Sequence, residues 1–161
     1  MLDIGCGVGP VHPTLLDSSV GHATAADIAE PMLREARRQA ERIGLNDCVD
    51  YRVGDFVALA GDFPDADLAV LDKVVCCYEN IDASIAKTRR LLAMSFPRDT
   101  RLLCLALRIV IGLAKLFGGA LRPFLYDWGR MGWRIVGGGF ELAQSARTVA
   151  WQINIYSSAY R

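Results

Sequence analysis

The chain has 161 residues, 52% of them hydrophobic, with 18 basic and 18 acidic side chains and a formal net charge of zero. That is the size of one domain with ample material for a buried core, and it excludes a disordered or fibrous chain. The charge is unevenly spread, 9 Lys/Arg against 15 Asp/Glu over residues 1–97 and 9 against 3 over 98–161, yet no recognised nucleic-acid motif accompanies the basic part, so no nucleic-acid partner is expected.

The first element is an apolar strand, Met1 to Ile4, running straight into the glycine-rich turn Gly5-Cys6-Gly7-Val8-Gly9, which opens a helix. Glycines remove Cβ atoms where a ligand must approach the main chain, and a following helix start presents N–H groups to polar or anionic ligand atoms. The same turn also serves as a tight strand-to-helix connection. Pro10 stands where the dinucleotide fingerprint needs its third glycine, which counts against NAD or FAD. A second apolar stretch, Ala23 to Ala26, ends at Asp27, about twenty residues on, where a βαβ unit places an acid for ribose hydroxyls. Asp27 also reads as a helix cap ahead of Pro31, and the two roles are compatible.

Glu30 to Ile43 is expected to be a helix, with Pro31 in its first turn, Gly44 past its end and Leu33, Ala36, Ala40 and Ile43 on one face. Val49 to Val53 alternates as a strand, and the continuous apolar run Leu68 to Leu71 suits a strand covered on both faces. A helix from Asp82 to Ala93, capped by Asp82, and a fifth strand near Leu92 to Phe96, stopped by Pro97, follow. Alternating strands and helices imply a parallel sheet with its ligand crevice at the strands' carboxyl ends. Asp3, the glycines, Asp27, Asp55 and Asp72 all fall at or beside such ends.

In residues 100–122, Arg101, Arg108, Lys115 and Arg122 are seven apart and line one stripe of a helix that is otherwise almost wholly apolar. The repeated charges argue against a bilayer-spanning segment. Two readings stand: a core helix with a solvated basic edge, or an amphipathic lid over a substrate pocket that makes peripheral membrane contact through 101–122. Two adjoining strands, about Phe140 to Thr148 and Val149 to Tyr156, close the chain. Cys6, Cys48, Cys76, Cys77 and Cys104 form no CxxC pair and, with His12 and His22, no metal-ligand cluster, so a cytoplasmic protein without structural metal is expected.

Taken together, Asp3 to Gly9, Asp27-Ile28 with Pro31-Met32-Leu33, Gly54-Asp55-Phe56 and Asp67 to Asp72 resemble, in order and spacing, the four motifs of the class I S-adenosylmethionine-dependent methyltransferases. Leu71 to Tyr78, Ser95 to Asp99 and Trp151 to Tyr156 narrow the resemblance to small bacterial enzymes distantly similar to the magnesium-protoporphyrin O-methyltransferases. It implies an α/β, Rossmann-like three-layer sandwich in a single domain, mostly parallel with an antiparallel C-terminal edge hairpin. It also implies S-adenosyl-L-methionine as cofactor and methyl transfer to a small-molecule substrate, read as apolar from residues 102–117, with an oxygen or carbon nucleophile. A non-catalytic cofactor-binding or interaction protein of the same fold is the alternative.

Residue by residue, the resemblance puts Gly5, Cys6, Gly7 and Gly9 under the methionine portion, with Asp3 positioning it through the surrounding network. Asp27 binds the ribose, Ile28 packs on adenine, and Asp55 accepts from the adenine amino group with Phe56 alongside. Asp72 and Lys73 fall close to the methyl group, either as a substrate-facing pair or as a structural ion pair. Tyr78 either orients a substrate hydroxyl or is a packed loop tyrosine. His12 and His22 are read as structural or surface residues, and Tyr126 and Asp127 fall where related enzymes place substrate-facing groups. Relatives carry an N-terminal helical arm before the first strand, so the chain reads as shortened, a fragment or a misassigned start. Oligomeric state is not legible.

Overall fold

The computed structural model describes residues 1–75, 81–98 and 128–159, leaving aside the side chains of 128–130. Its elements in chain order are β1 (Leu2–Ile4), α1 (His12–Ser18), β2 (Ala23–Asp27), α2 (Glu30–Arg42), β3 (Val49–Val53), α3 (Phe56–Leu59), β4 (Ala66–Asp72), α4 (Asp82–Ala86), β5 (Thr88–Pro97), α5 (Trp128–Gly137), β6 (Phe140–Arg147) and β7 (Trp151–Ser158). The seven strands make one sheet in the order β3-β2-β1-β4-β5-β7-β6. Strands β1 to β5 pair in parallel, β7 runs antiparallel to β5, and β6 antiparallel to β7. This is the expected three-layer α/β architecture with its antiparallel closing hairpin.

Alternation sorts the strand residues between two faces. Leu2, Ile4, Ala26, Ala69 and Leu71 point towards Phe56, Phe63, Ile85, Met131 and Ile135 in the larger core. Ala23, Ala25 and Val49 point the other way, onto Leu33 of α2 and Leu16 of α1, and Cys6 joins them. Helix α2 ends where Gly44, at φ +73°, takes the left-handed conformation that frees Leu45 N–H to reach Ala40 O at 2.9 Å.

The helix expected from Asp82 to Ala93 stops at Ala86, and β5 begins at Thr88. The apolar run Leu91 to Phe96 satisfies a buried helix and a buried strand equally well by periodicity. Unpaired edges on β4 and β7 decide it, since β5 pairs with both from Leu91 to Asp72's partner Ser95 and beyond. Nor does Asp82 cap the helix: Ile81 occupies the cap position without a side-chain bond, and the Asp82 carboxylate lies 3.7 Å from Arg134 Nη1. The closing strands break at Thr148 to Ala150, two residues later than expected on the second strand. Tyr78, residues 100–122, Tyr126 and Asp127 lie outside the described residues.

Candidate functional site

Three glycines shape the turn after β1. Gly5, Gly7 and Gly9 have φ of +66°, +56° and +78°, in the left-handed region that costs a side-chain-bearing residue about 1–2 kcal/mol. A Cβ on Gly5 would collide with the Val74 side chain, and one on Gly9 would lie 2.7 Å from His12 Cε1. At Gly7 it would meet nothing within 4 Å. The middle of the turn is therefore an open cradle whose two ends are closed by packing.

The turn's amides are mostly committed. Gly5 N–H and Cys6 N–H both donate to Ala26 O, at 2.8 and 3.0 Å, and Gly9 N–H donates to Cys6 O at 2.9 Å. Gly7 N–H donates to Asp27 Oδ2 at 2.8 Å. Pro10 has no N–H, and Val8 N–H has no acceptor among the described residues. Instead of the row of vacant donors expected of such a turn, these bonds leave a rigid surface with one available amide.

Asp27 ends β2 at the rim of this cradle. Its Oδ1 accepts from Ala29 N–H at 2.8 Å while Oδ2 holds Gly7, so both oxygens are oriented and each keeps lone-pair capacity for a further donor. Ile28 beside it is 71% exposed, an apolar side chain free to cover a flat ring. On the next strand out, Asp55 caps α3 through Val57 N–H at 2.9 Å and remains solvent-facing. Phe56 is buried edge-on against Phe63 at 4.9 Å between centroids. Its ring therefore belongs to the larger core.

Asp3 lies beneath the turn, 1% exposed, with Oδ2 accepting from Nδ1 of the fully buried His12 at 2.7 Å. His12 is thus a structural partner of a candidate binding residue, and the surface alternative is corrected. Burial, reinforced by the charges of Asp3 and Asp27, pushes the Cys6 thiol upward, so it stays protonated and packs as an apolar group. Tyr51, whose hydroxyl is 3.4 Å from His12 Nε2, is pushed up to about 12, chiefly by burial.

A second cluster forms where β4, β5 and β7 meet. Lys73 takes a left-handed φ of +57°, rare for a side-chain-bearing residue. Its amide donates to Ser95 Oγ at 2.8 Å, and Ser95 Oγ in turn donates to Asp72 Oδ1. The Lys73 ammonium is 3.8 Å from Asp72 Oδ2 and 5.5 Å from the centroid of the Trp151 ring. With both charged groups partly exposed, the ion pair contributes at most about 1 kcal/mol. Serine anchoring of Asp72 and the backbone strain at Lys73 instead hold a carboxylate and an ammonium beside Val74, the residue that packs on Gly5. Ser95 and Trp151 each open a segment that carries the family resemblance, and Ser95 also stands as a polar residue inside an apolar strand; His12 has no such signal.

A concavity of about 1040 Å³ lies elsewhere, lined by Met1, Gly21, His22, Asp67, Arg90 and Ser157 at the amino ends of the parallel strands. Parallel α/β sheets place ligands at the opposite end, where the glycine turn and the carboxylates gather. Among the described residues no three His, Cys, Asp or Glu side chains group as metal ligands, and no helix is long and apolar enough to cross a membrane.

Residues 2–94 match the family described as methyltransferase domain. A ubiquinone/menaquinone biosynthesis C-methyltransferase from Ruegeria sp. (strain TM1040) is 37% identical over 60 residues, which is 37% of this chain and 24% of the relative. Its counterpart from Roseobacter denitrificans is 38% identical over the same length, so the matched segment spans about a quarter of these curated relatives. Among solved structures, magnesium protoporphyrin IX methyltransferase from Synechocystis PCC 6803 with bound SAH superposes with a TM-score of 0.76 at 21% identity, over 98% of this chain and 72% of that one. The [4+2]-cyclase SpnF superposes with a TM-score of 0.69 at 13% identity, over 98% and 74%. These likenesses establish the shared fold.

Proposed function

The chain belongs to the methyltransferase domain family, and from that premise we propose that it transfers a methyl group from S-adenosyl-L-methionine to a small, apolar acceptor through an oxygen or carbon nucleophile. The observation that carries the reading is the joint between Gly7 and Asp27: an open, Cβ-free surface whose amide holds the neighbouring carboxylate at 2.8 Å, facing the same crevice. An amino-acid tail fits over the glycines, and vicinal ribose hydroxyls fit the remaining lone pairs of Asp27. Ile28 covers one face of the base, and Asp55 accepts from its exocyclic amine. Asp3 faces the tail from below.

When bound, the cofactor supplies a methyl group on a positively charged sulfur that leaves as a neutral thioether, so the leaving group needs no acid. The protein's task is alignment and exclusion of water, which model reactions show to be worth about 7–11 kcal/mol. The turn is suited to it because its hydrogen bonds close on β2 and hold it at fixed height above the sheet. On this reading Asp72, held by Ser95 and beside Lys73, takes the proton that an acceptor hydroxyl loses as its oxygen or ring carbon forms the new bond, and its fixed carboxylate supports that role. The curated relatives are named for quinone biosynthesis, which accords with an apolar acceptor of that class.

Isothermal titration with S-adenosylhomocysteine, followed by detection of that product when S-adenosylmethionine is mixed with quinol-like phenols, tests both halves. Binding with product formation supports methyl transfer. Binding without turnover on any acceptor supports a non-catalytic member of the fold, a reading given weight by the cyclase on the same scaffold. A folded sample that does not bind refutes the cofactor assignment.

A further inference from the structure

His12 and Asp3 are both almost completely buried, yet neither is needed to hold β1 in the sheet, whose pairing with β2 and β4 is made by the main chain. We infer that His12 is a positioning residue for the amino-acid end of the cofactor, aiming the Asp3 carboxylate upward into the glycine turn while its ring supports Gly9 from beneath. The inference rests on the cofactor reading given above.

The geometry makes His12 a one-way donor. Its Nδ1–H goes to Asp3 Oδ2 at 2.7 Å, and its Nε2 lies 3.4 Å from the Tyr51 hydroxyl, which also lies 3.3 Å from Ala36 O. Tyr51 has one proton to give. With a neutral ring, Nε2 accepts that proton; with a charged ring, Nε2 donates and Tyr51 turns its proton to Ala36 O. In either state Nδ1–H stays on Asp3, so the carboxylate keeps one orientation whichever way the tyrosine turns. Among the described residues no donor reaches the other oxygen, Oδ1. No fully enclosed side-chain oxygen among the described residues lacks a partner, so the unbonded Oδ1 keeps an opening through which a donor can reach it. The ammonium group of the cofactor's amino-acid tail is a donor of the right charge, reaching the turn from above.

His12 also fixes the far end of the cradle. The space where Gly9 would carry a Cβ is occupied by Cε1 of the ring at 2.7 Å, with Ala36 Cβ at 3.2 Å behind it. An aliphatic side chain at position 12 therefore removes the donor to Asp3 as well as the ring under Gly9, whereas asparagine gives up the ring and keeps the donor.

Two nucleosides separate positioning from bulk stability: S-adenosylhomocysteine carries the amino-acid tail, and 5′-methylthioadenosine lacks it. In His12→Leu the affinity for S-adenosylhomocysteine is expected to fall about ten- to hundredfold, the range for losing a hydrogen-bonded charged group, while that for 5′-methylthioadenosine stays within about twofold. His12→Asn, whose amide nitrogen sits where Nδ1 sits, is expected to restore most of the loss. Equal weakening of both ligands, or full affinity in His12→Leu, overturns the inference. Should His12→Leu fail to fold, the wild-type protein answers by nitrogen-15 histidine NMR. The Nδ1 proton of His12 shifts on adding S-adenosylhomocysteine and not on adding 5′-methylthioadenosine, and an unmoved signal overturns it. Failure of the wild-type protein to bind either nucleoside refutes the cofactor reading itself.

Discussion

Replacing Gly7 by alanine isolates the open cradle from the packed ends of the same turn. At φ +56° the new side chain costs about 1–2 kcal/mol in backbone strain. With nothing within 4 Å of the added methyl, no packing clash adds to it. A domain of this size loses roughly 2–4 °C in Tm per kcal/mol, so Gly7→Ala is expected to melt about 2–8 °C below wild type. Gly5→Ala bears the same backbone strain, at φ +66°, and also drives a methyl into Val74, an overpacking cost of about 1–3 kcal/mol more. The order of stability is therefore wild type, Gly7→Ala, Gly5→Ala. Affinity for S-adenosylhomocysteine runs differently, because the methyl at position 7 occupies space that the ligand needs, and a comparable overpacking cost lowers binding about five- to hundredfold. Scanning calorimetry and isothermal titration on the same samples read both orders. Wild-type affinity in a folded Gly7→Ala protein would place the ligand elsewhere, and equal destabilisation of the two variants would mean that the space over Gly7 is not open.

Asp27→Asn turns an amide donor towards either Gly7 N–H or Ala29 N–H. It should lower stability by about 1–3 kcal/mol and S-adenosylhomocysteine affinity at least about tenfold, with unchanged affinity by titration counting against the ribose role. Asp72→Asn should leave that affinity within about threefold while product formation falls about 10²- to 10⁴-fold, and parallel losses would move Asp72 into the binding machinery instead. Burial pushes the Tyr51 phenol up to about 12 in the folded protein, against 10.0 for an unperturbed one. The unfolded chain therefore loses this proton first. The stability it contributes is complete below about pH 10 and fades by about 1 kcal/mol, after discounting for its partial exposure, as the pH rises towards 12. Urea midpoints across that window should decline in the wild type and less in Tyr51→Phe, and identical slopes would contradict the assignment.

What was legible in the sequence is what short-range chemistry dictates. Strand Val49–Val53 was read to the residue, and α2 to within one residue, because Pro31 and Gly44 mark its ends by backbone restriction alone. The glycines and carboxylates at the ends of β1, β2 and β4 were legible for the same reason, as residues that interrupt apolar runs at fixed intervals. The expected helix from Asp82 to Ala93 gives way to a strand because Leu91 to Phe96 has no polar alternation to choose between the two, and neighbouring strands far away in sequence make the choice. The two contacts most telling for the site were equally remote. Gly7 meets Asp27 across 20 residues, an interval that the βαβ unit signals although the bond itself is not local, and His12 meets Tyr51 across 39, where no pattern carries information. The inward turn of the Phe56 ring onto Phe63 is likewise a matter of packing that the motif does not carry.

The commitment of the turn's amides bears on how such a site achieves alignment. A row of free N–H groups would attract an anion strongly but would tolerate several poses, since each donor can re-aim. Here Gly5 and Cys6 are tied to Ala26, Gly9 to Cys6 and Gly7 to Asp27, so a ligand meets a surface whose shape is already settled and whose charge resides in two carboxylates. Two negative groups, Asp3 below the turn and Asp27 at its rim, suit a ligand that is cationic at its amino-acid end and hydroxyl-rich at its sugar, and they disfavour the phosphates that glycine turns usually bind. Ordering that surface before binding spares the ligand the ordering, and the reacting methyl group inherits the precision of a hydrogen-bonded main chain. Loosening any one of these bonds should therefore cost alignment beyond its share of stability.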